Sequence, residues 1–97
     1  MASAWIVVHG VVQGVGYRRL VAEQARRFKL TGMVRNAENG SVEILACGNA
    51  VSIRGFIKSI DVKIKYGPDV MSIEVSRGRK AADTAAAGRY NSFVIEG

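Results

Sequence analysis

The chain reads as a single α+β domain over residues 1–97, a two-layer sandwich with two helices on one face of an antiparallel sheet. Three observations lead there. Two segments carry apolar residues at helical spacing, each preceded by a β-branched run. An Asn39-Gly40 pair stands between two further strand-like runs, a strong hairpin signal. The apolar share is 48% against 23% charged, enough for a core and against intrinsic disorder.

Taken in order, residues 5–9 form a short strand that stops at Gly10. Over residues 18–28, Leu20, Val21, Ala25 and Phe28 recur on one helical face. Arg19, Glu23, Arg26 and Arg27 occupy the other face, where Arg19–Glu23 and Glu23–Arg27 are spaced for ion pairs and the arginines read as solvated surface. Residues 30–36 and 41–47 read as the two strands of the hairpin. Ile53, Phe56, Ile57, Ile60 and Ile64 define the second helix, which Gly67-Pro68 ends. Residues 69–76 alternate Met71, Ile73 and Val75 with Ser72, Glu74 and Ser76, a strand with one wet face. Residues 78–88 carry no apolar period and read as a loop, and residues 91–96 form a last strand. The order βαββαβ plus a final strand, with right-handed crossovers, is that of a ferredoxin-like sandwich.

Several function classes are disfavoured at once. A lone cysteine, Cys47, excludes an internal disulfide and offers no soft metal pair, which fits a reducing compartment. No signal segment or membrane-length apolar run is present, so a cytoplasmic protein without membrane association is expected. A net charge of +6, split evenly between the two halves, suits any anionic partner and decides nothing alone.

The chemistry-bearing segment is Gly10-Val11-Val12-Gln13-Gly14-Val15-Gly16-Tyr17-Arg18. It joins a strand to a helix start, where free amides and the helix dipole favour an anion. Two glycines let successive N–H groups turn into one concavity, and Arg18 offers a charged planar fork for phosphate oxygens at its end. A tight turn would need the same glycines. The spacing of a dinucleotide fingerprint fails at Arg19, and no P-loop spacing is present.

This segment resembles the first signature of the acylphosphatases. Gly32, Val34, Arg35, Asn36, Gly40, Val42 and Gly48 resemble the second at the family's spacing, and the likeness runs on through Gly67-Pro68 to the last strand. The resemblance implies a ferredoxin-like enzyme that hydrolyses acyl phosphates. It assigns phosphate binding to Arg18 and to the backbone of Gln13, Gly14, Val15, Gly16 and Tyr17, and the holding of the attacking water to Asn36. It implies neither cofactor nor metal, a small acyl phosphate as partner and inorganic phosphate as product; a monomer is expected. Two positions depart from the pattern. Met33 stands where an aromatic is usual, which is expected to soften packing beside the site, and Val11 stands where arginine is frequent.

His9, the sole histidine, alternates with Trp5 and Val7 and reads as structural, with no carboxylate to pair with as a general base. Two alternatives stay open. One is an anion-binding or nucleic-acid-binding module with little turnover, against which stands the lack of an aromatic in residues 41–47 for base stacking. The other is a homologue directed to carbamoyl phosphate.

Overall fold

The computed structural model describes residues 1–77 and 90–96, so the loop expected over residues 78–88 lies outside the described residues. The elements are β1 (Ala2–Val11), α1 (Tyr17–Arg27), β2 (Thr31–Asn36), β3 (Val42–Gly48), α2 (Ala50–Ile60), β4 (Asp69–Arg77) and β5 (Phe93–Glu96). The sheet order is β4-β1-β3-β2-β5. Both helices pack on one face, as the ferredoxin-like reading requires.

Every neighbouring pair is antiparallel except β2 and β5, which run parallel, so the sheet is mixed rather than wholly antiparallel. The reason is topological. Once β4 pairs with β1, the outer edge of β2 is unfilled, and a strand edge needs a partner or a cover. β5 fills it from the far side and arrives in the direction of β2.

Burial follows the pleat. Ala4, Ile6 and Val8 of β1 are fully buried under the helices, with Val34, Val42, Ile44 and Ala46 from the neighbouring strands. Val21 and Ala25 of α1 and Ile53, Phe56 and Ile60 of α2 close this core, with the Phe56 and Phe93 rings 6.2 Å apart. Burying a side chain of this size contributes about 1.5–3 kcal/mol. On the other face Met33, Leu45 and Cys47 form a smaller buried cluster with Trp5, Tyr90 and Val94.

Several sequence expectations change. Ile64 lies beyond α2 and is 46% exposed. Its helical spacing is broken because the chain turns at Asp61, and Val70 then donates to the Val62 carbonyl at 2.9 Å. In β4 the register shifts opposite His9 and Gly10, which pair with Ser72 and Val70 and leave Met71 over. This bulge swings Val70 into the core and Met71 out to solvent, and Val75 is 39% exposed, so of the alternating residues Met71, Ile73 and Val75 only Ile73 is partly covered. On α1 the Arg19–Glu23 pair forms at 3.4 Å, with no Glu23–Arg27 pair beside it among the described residues. Arg26 is more than solvated surface, because its Nη2 donates to the Phe93 carbonyl at 3.1 Å and ties α1 to β5.

Met33 packs against Leu45 on the sheet face away from the helices, whereas Asn36 pairs with Val42 of the helix-side core. The departure at Met33 therefore lies across the sheet from Asn36. No helix among the described residues is long and apolar enough to cross a membrane.

Candidate active site

Between the end of β1 and the start of α1 the chain must reverse in five residues. Gly14 and Gly16 do this with φ of 74° and 77°, in the left-handed region that costs other residues roughly 1–2 kcal/mol. A Cβ at either position would meet no atom within 4 Å beyond its chain neighbours. Glycine is required here by the turn itself, and the space over it stays open.

The amides of this loop find no backbone acceptor in the turn. Outside the helices and strands, no backbone hydrogen bond is donated by residues 13–17. Gly16 is the N-cap of α1 and provides no side-chain cap, and the first turn carries no acidic residue. The contrast with α2 is direct, because there Asn49 Oδ1 accepts from the Val51 amide at 2.8 Å. Among the described residues, the positive end of α1 has no side-chain cap and no acidic residue in its first turn to offset it.

A pocket of about 200 Å3 opens at this point, lined by Val12, Gly14, Gly16, Tyr17, Arg18, Arg19, Asn36 and Ile95. Of the residues singled out from the sequence, Gly14, Gly16, Tyr17, Arg18 and Asn36 meet in it. Gln13 and Val15 do not line it. Arg18 is half-buried and its Nη1 reaches the Glu96 carbonyl at 3.4 Å, so the guanidinium is held from the β5 side. Asn36 ends β2, and its Oδ1 is buried with no hydrogen-bond partner. An unsatisfied buried acceptor costs about 1–3 kcal/mol, so it marks a place where a donor belongs.

Two side chains of the loop have jobs that its spacing did not reveal. Gln13 Nε2 donates to the Ala37 carbonyl at 2.8 Å and to the Ser41 carbonyl at 2.9 Å, on either side of the hairpin turn. The Tyr17 hydroxyl donates to the Ile60 carbonyl at 2.8 Å and fixes the start of α1 against the end of α2. Burial, assisted by the nearby Asp61 charge, pushes the Tyr17 phenol well above its ordinary range. Val12, Arg19 and Ile95 were also missed as lining residues. Ile95 is invisible without the β5 register, which sets it beside Val34, whereas Val12 lies within the loop segment itself and is singled out by nothing in the spacing.

His9 has a carboxylate partner after all, since its Nε2 lies 2.8 Å from Glu74 Oε2. β1 and β4 are neighbours only in space, which is why the pair escaped the sequence. Neither residue lines the pocket. Trp5 on the open sheet face is covered by the Arg35 guanidinium at 5.6 Å, which also binds Glu43 at 2.9 Å. Among the described residues no three His, Cys, Asp or Glu side chains gather as a metal site.

The family model of the acylphosphatases matches residues 4–95. This chain belongs to the acylphosphatase family. It is 39% identical over 88 residues to an acylphosphatase from Azoarcus sp. (strain BH72), covering 91% of this chain and 86% of that relative. The crystal structure of acylphosphatase from Bacillus subtilis superimposes with a TM-score of 0.83 at 33% identity, over all of both chains. HypF from T. kodakarensis contains a similar fold within 12% of its length, at 27% identity and a TM-score of 0.79. Of the two segments that carry the resemblance, residues 10–18 bring Val12, Gly14, Gly16, Tyr17 and Arg18 to the pocket, and residues 32–48 bring Asn36 at the end of β2.

Proposed function

We propose that this acylphosphatase hydrolyses the carboxyl–phosphate bond of small acyl phosphates by positioning and charge stabilisation, with Arg18 and Asn36 in the leading roles. The observation that carries the reading is the partnerless Asn36 Oδ1 in the same pocket as Arg18 and the uncapped start of α1.

The phosphoryl oxygens take the amides of residues 14–17 and the Arg18 fork. Asn36 Oδ1 accepts one hydrogen bond from a water and leaves that water's lone pair directed at phosphorus. As the water oxygen bonds to phosphorus, the bond to the acyl oxygen breaks and its electron pair leaves on the carboxylate. The water's proton passes to a phosphate oxygen. The leaving carboxylate is a weak base and needs no acid, so neither His9 nor a metal ion enters the scheme. Help of this kind is what phosphoryl transfer chiefly requires. The same proposal includes a monomer in the cytoplasm, which size-exclusion chromatography and fractionation test.

The test is hydrolysis of benzoyl phosphate with and without a chelator. Activity is expected to survive chelation and to be inhibited by inorganic phosphate. Arg18→Ala and Asn36→Ala should each lower kcat on the order of 100- to 1,000-fold. Folded variants that keep full activity overturn the assignment, and loss of activity on chelation overturns the metal-free scheme.

A further inference from the structure

We propose that Gln13 is a positioning residue for Asn36, its side-chain amide clamping the phosphate-binding loop to the turn that follows β2. The inference rests on the reading of Asn36 above and explains how two parts of the site from different elements keep their spacing.

The geometry is specific. Both protons of the Gln13 amide are used, one on the Ala37 carbonyl at 2.8 Å and one on the Ser41 carbonyl at 2.9 Å. Ala37 is the residue after Asn36. Each acceptor already belongs to the turn's own network, since Gly40 N donates to the Ala37 carbonyl at 3.2 Å and Ala37 N donates to the Ser41 carbonyl at 2.9 Å. Ser41 also donates to Asn39 Oδ1 through its amide at 3.1 Å and its hydroxyl at 2.6 Å. The turn is internally braced, so a bond to it fixes a stiff unit rather than one carbonyl.

Asn36 Oδ1 has no bond of its own to the loop. The distance from the amides of residues 14–17 to the water held on Asn36 is therefore set through the backbone, and Gln13, immediately before Gly14, is where loop and turn are joined. A glutamate in its place has the same length and presents oxygen to oxygen. Displacing a reacting group by about 1 Å can cost on the order of 100-fold in rate, whereas phosphate binding uses only the amides and Arg18.

Gln13→Ala and Gln13→Glu are measured with benzoyl phosphate, together with inhibition by inorganic phosphate, in the wild-type and Asn36→Ala backgrounds. The expected result is a fall in kcat of about 10- to 100-fold, with the phosphate inhibition constant for Gln13→Ala changed by less than about 3-fold. In the Asn36→Ala background the same Gln13→Ala change should cost no more than about 2-fold further, because the residue acts through Asn36. An unchanged kcat, a loss of phosphate affinity parallel to the loss of kcat, or an equal penalty in both backgrounds overturns the proposal. Gln13→Glu keeps the side chain's size and carries the kcat test if Gln13→Ala is poorly folded. Full activity in Asn36→Ala alone defeats the site reading itself, whereas an inactive Asn36→Ala beside a fully active Gln13→Ala defeats only the clamp.

Discussion

Two polar atoms bound the start of α1, and they have opposite relations to stability. Asn36 Oδ1 is buried and partnerless, so the folded chain carries a cost of about 1–3 kcal/mol for keeping it. Asn36→Val, a β-branched residue at the end of a strand, should leave the enzyme inactive and stabilise it by about 0.5–1 kcal/mol in urea unfolding. A variant clearly less stable than wild type would mean that the amide is satisfied in the folded protein. Tyr17 is the reverse case. Its hydroxyl is buried on the Ile60 carbonyl, and Tyr17→Phe strands that acceptor at a cost of about 1–2 kcal/mol. The phenol's affinity for its proton is raised in the fold above the ordinary value of 10.0. Above that pH the unfolded chain releases a proton that the folded chain keeps, so stability contributed by Tyr17 is present below pH 10 and declines as pH climbs beyond it. The buried Cys47 thiol, also raised by burial, adds a decline of the same sign that begins lower. Comparing unfolding of wild type and Tyr17→Phe between pH 8 and 11 isolates the tyrosine: the stability gap should narrow at the alkaline end, and a gap that widens there contradicts the assignment.

At the level of elements, the site depends on β2 lying in register between β3 and β5. Gly32 makes this possible with a φ of 134° and no side chain, because a Cβ there would collide with the Leu45 carbonyl of β3. Gly32→Ala pushes backbone against backbone four residues before Asn36. We expect a loss of at least about 2 kcal/mol, read as a drop in melting temperature of roughly 8 °C or more for a chain of this size. A melting temperature within a degree of wild type refutes this account of the β2–β3 contact. How much of such detail the sequence carries depends on the range of the interaction. The helices were legible because their stripes are local patterns, and the hairpin because Asn39-Gly40 is a local turn signal. The glycine loop was legible as a turn, and the family signatures supplied Arg18 and Asn36 as a pair. The β4 bulge, the parallel β2–β5 pairing and the His9–Glu74 contact all arise where strands far apart in sequence become neighbours, and no local period encodes them. The Gln13 clamp is of the same kind, spanning 24 and 28 residues to its two acceptors.

For the molecule as a whole, the property that reaches beyond the pocket is charge. A net charge of +6 surrounds a pocket proposed to take an anion, and Arg19, its side chain 83% exposed, stands at the pocket wall beside Arg18. Partial neutralisation by Glu23 at 3.4 Å leaves the wider field in place. Such a field raises the local concentration of a phosphorylated substrate and its rate of encounter, but it does little to the bound complex, where the contacts proposed for Arg18 and the amides are short-range. Salt separates the two effects, since the screening length falls from about 30 Å at 0.01 M to about 3 Å at 1 M. With sodium chloride as the salt and benzoyl phosphate as substrate, kcat/KM should fall several-fold across that range while kcat stays within about 2-fold. The opposite partition, a steady KM with a falling kcat, would place the salt-sensitive interaction in the chemical step and remove the long-range field from the account of how this enzyme gathers its substrate.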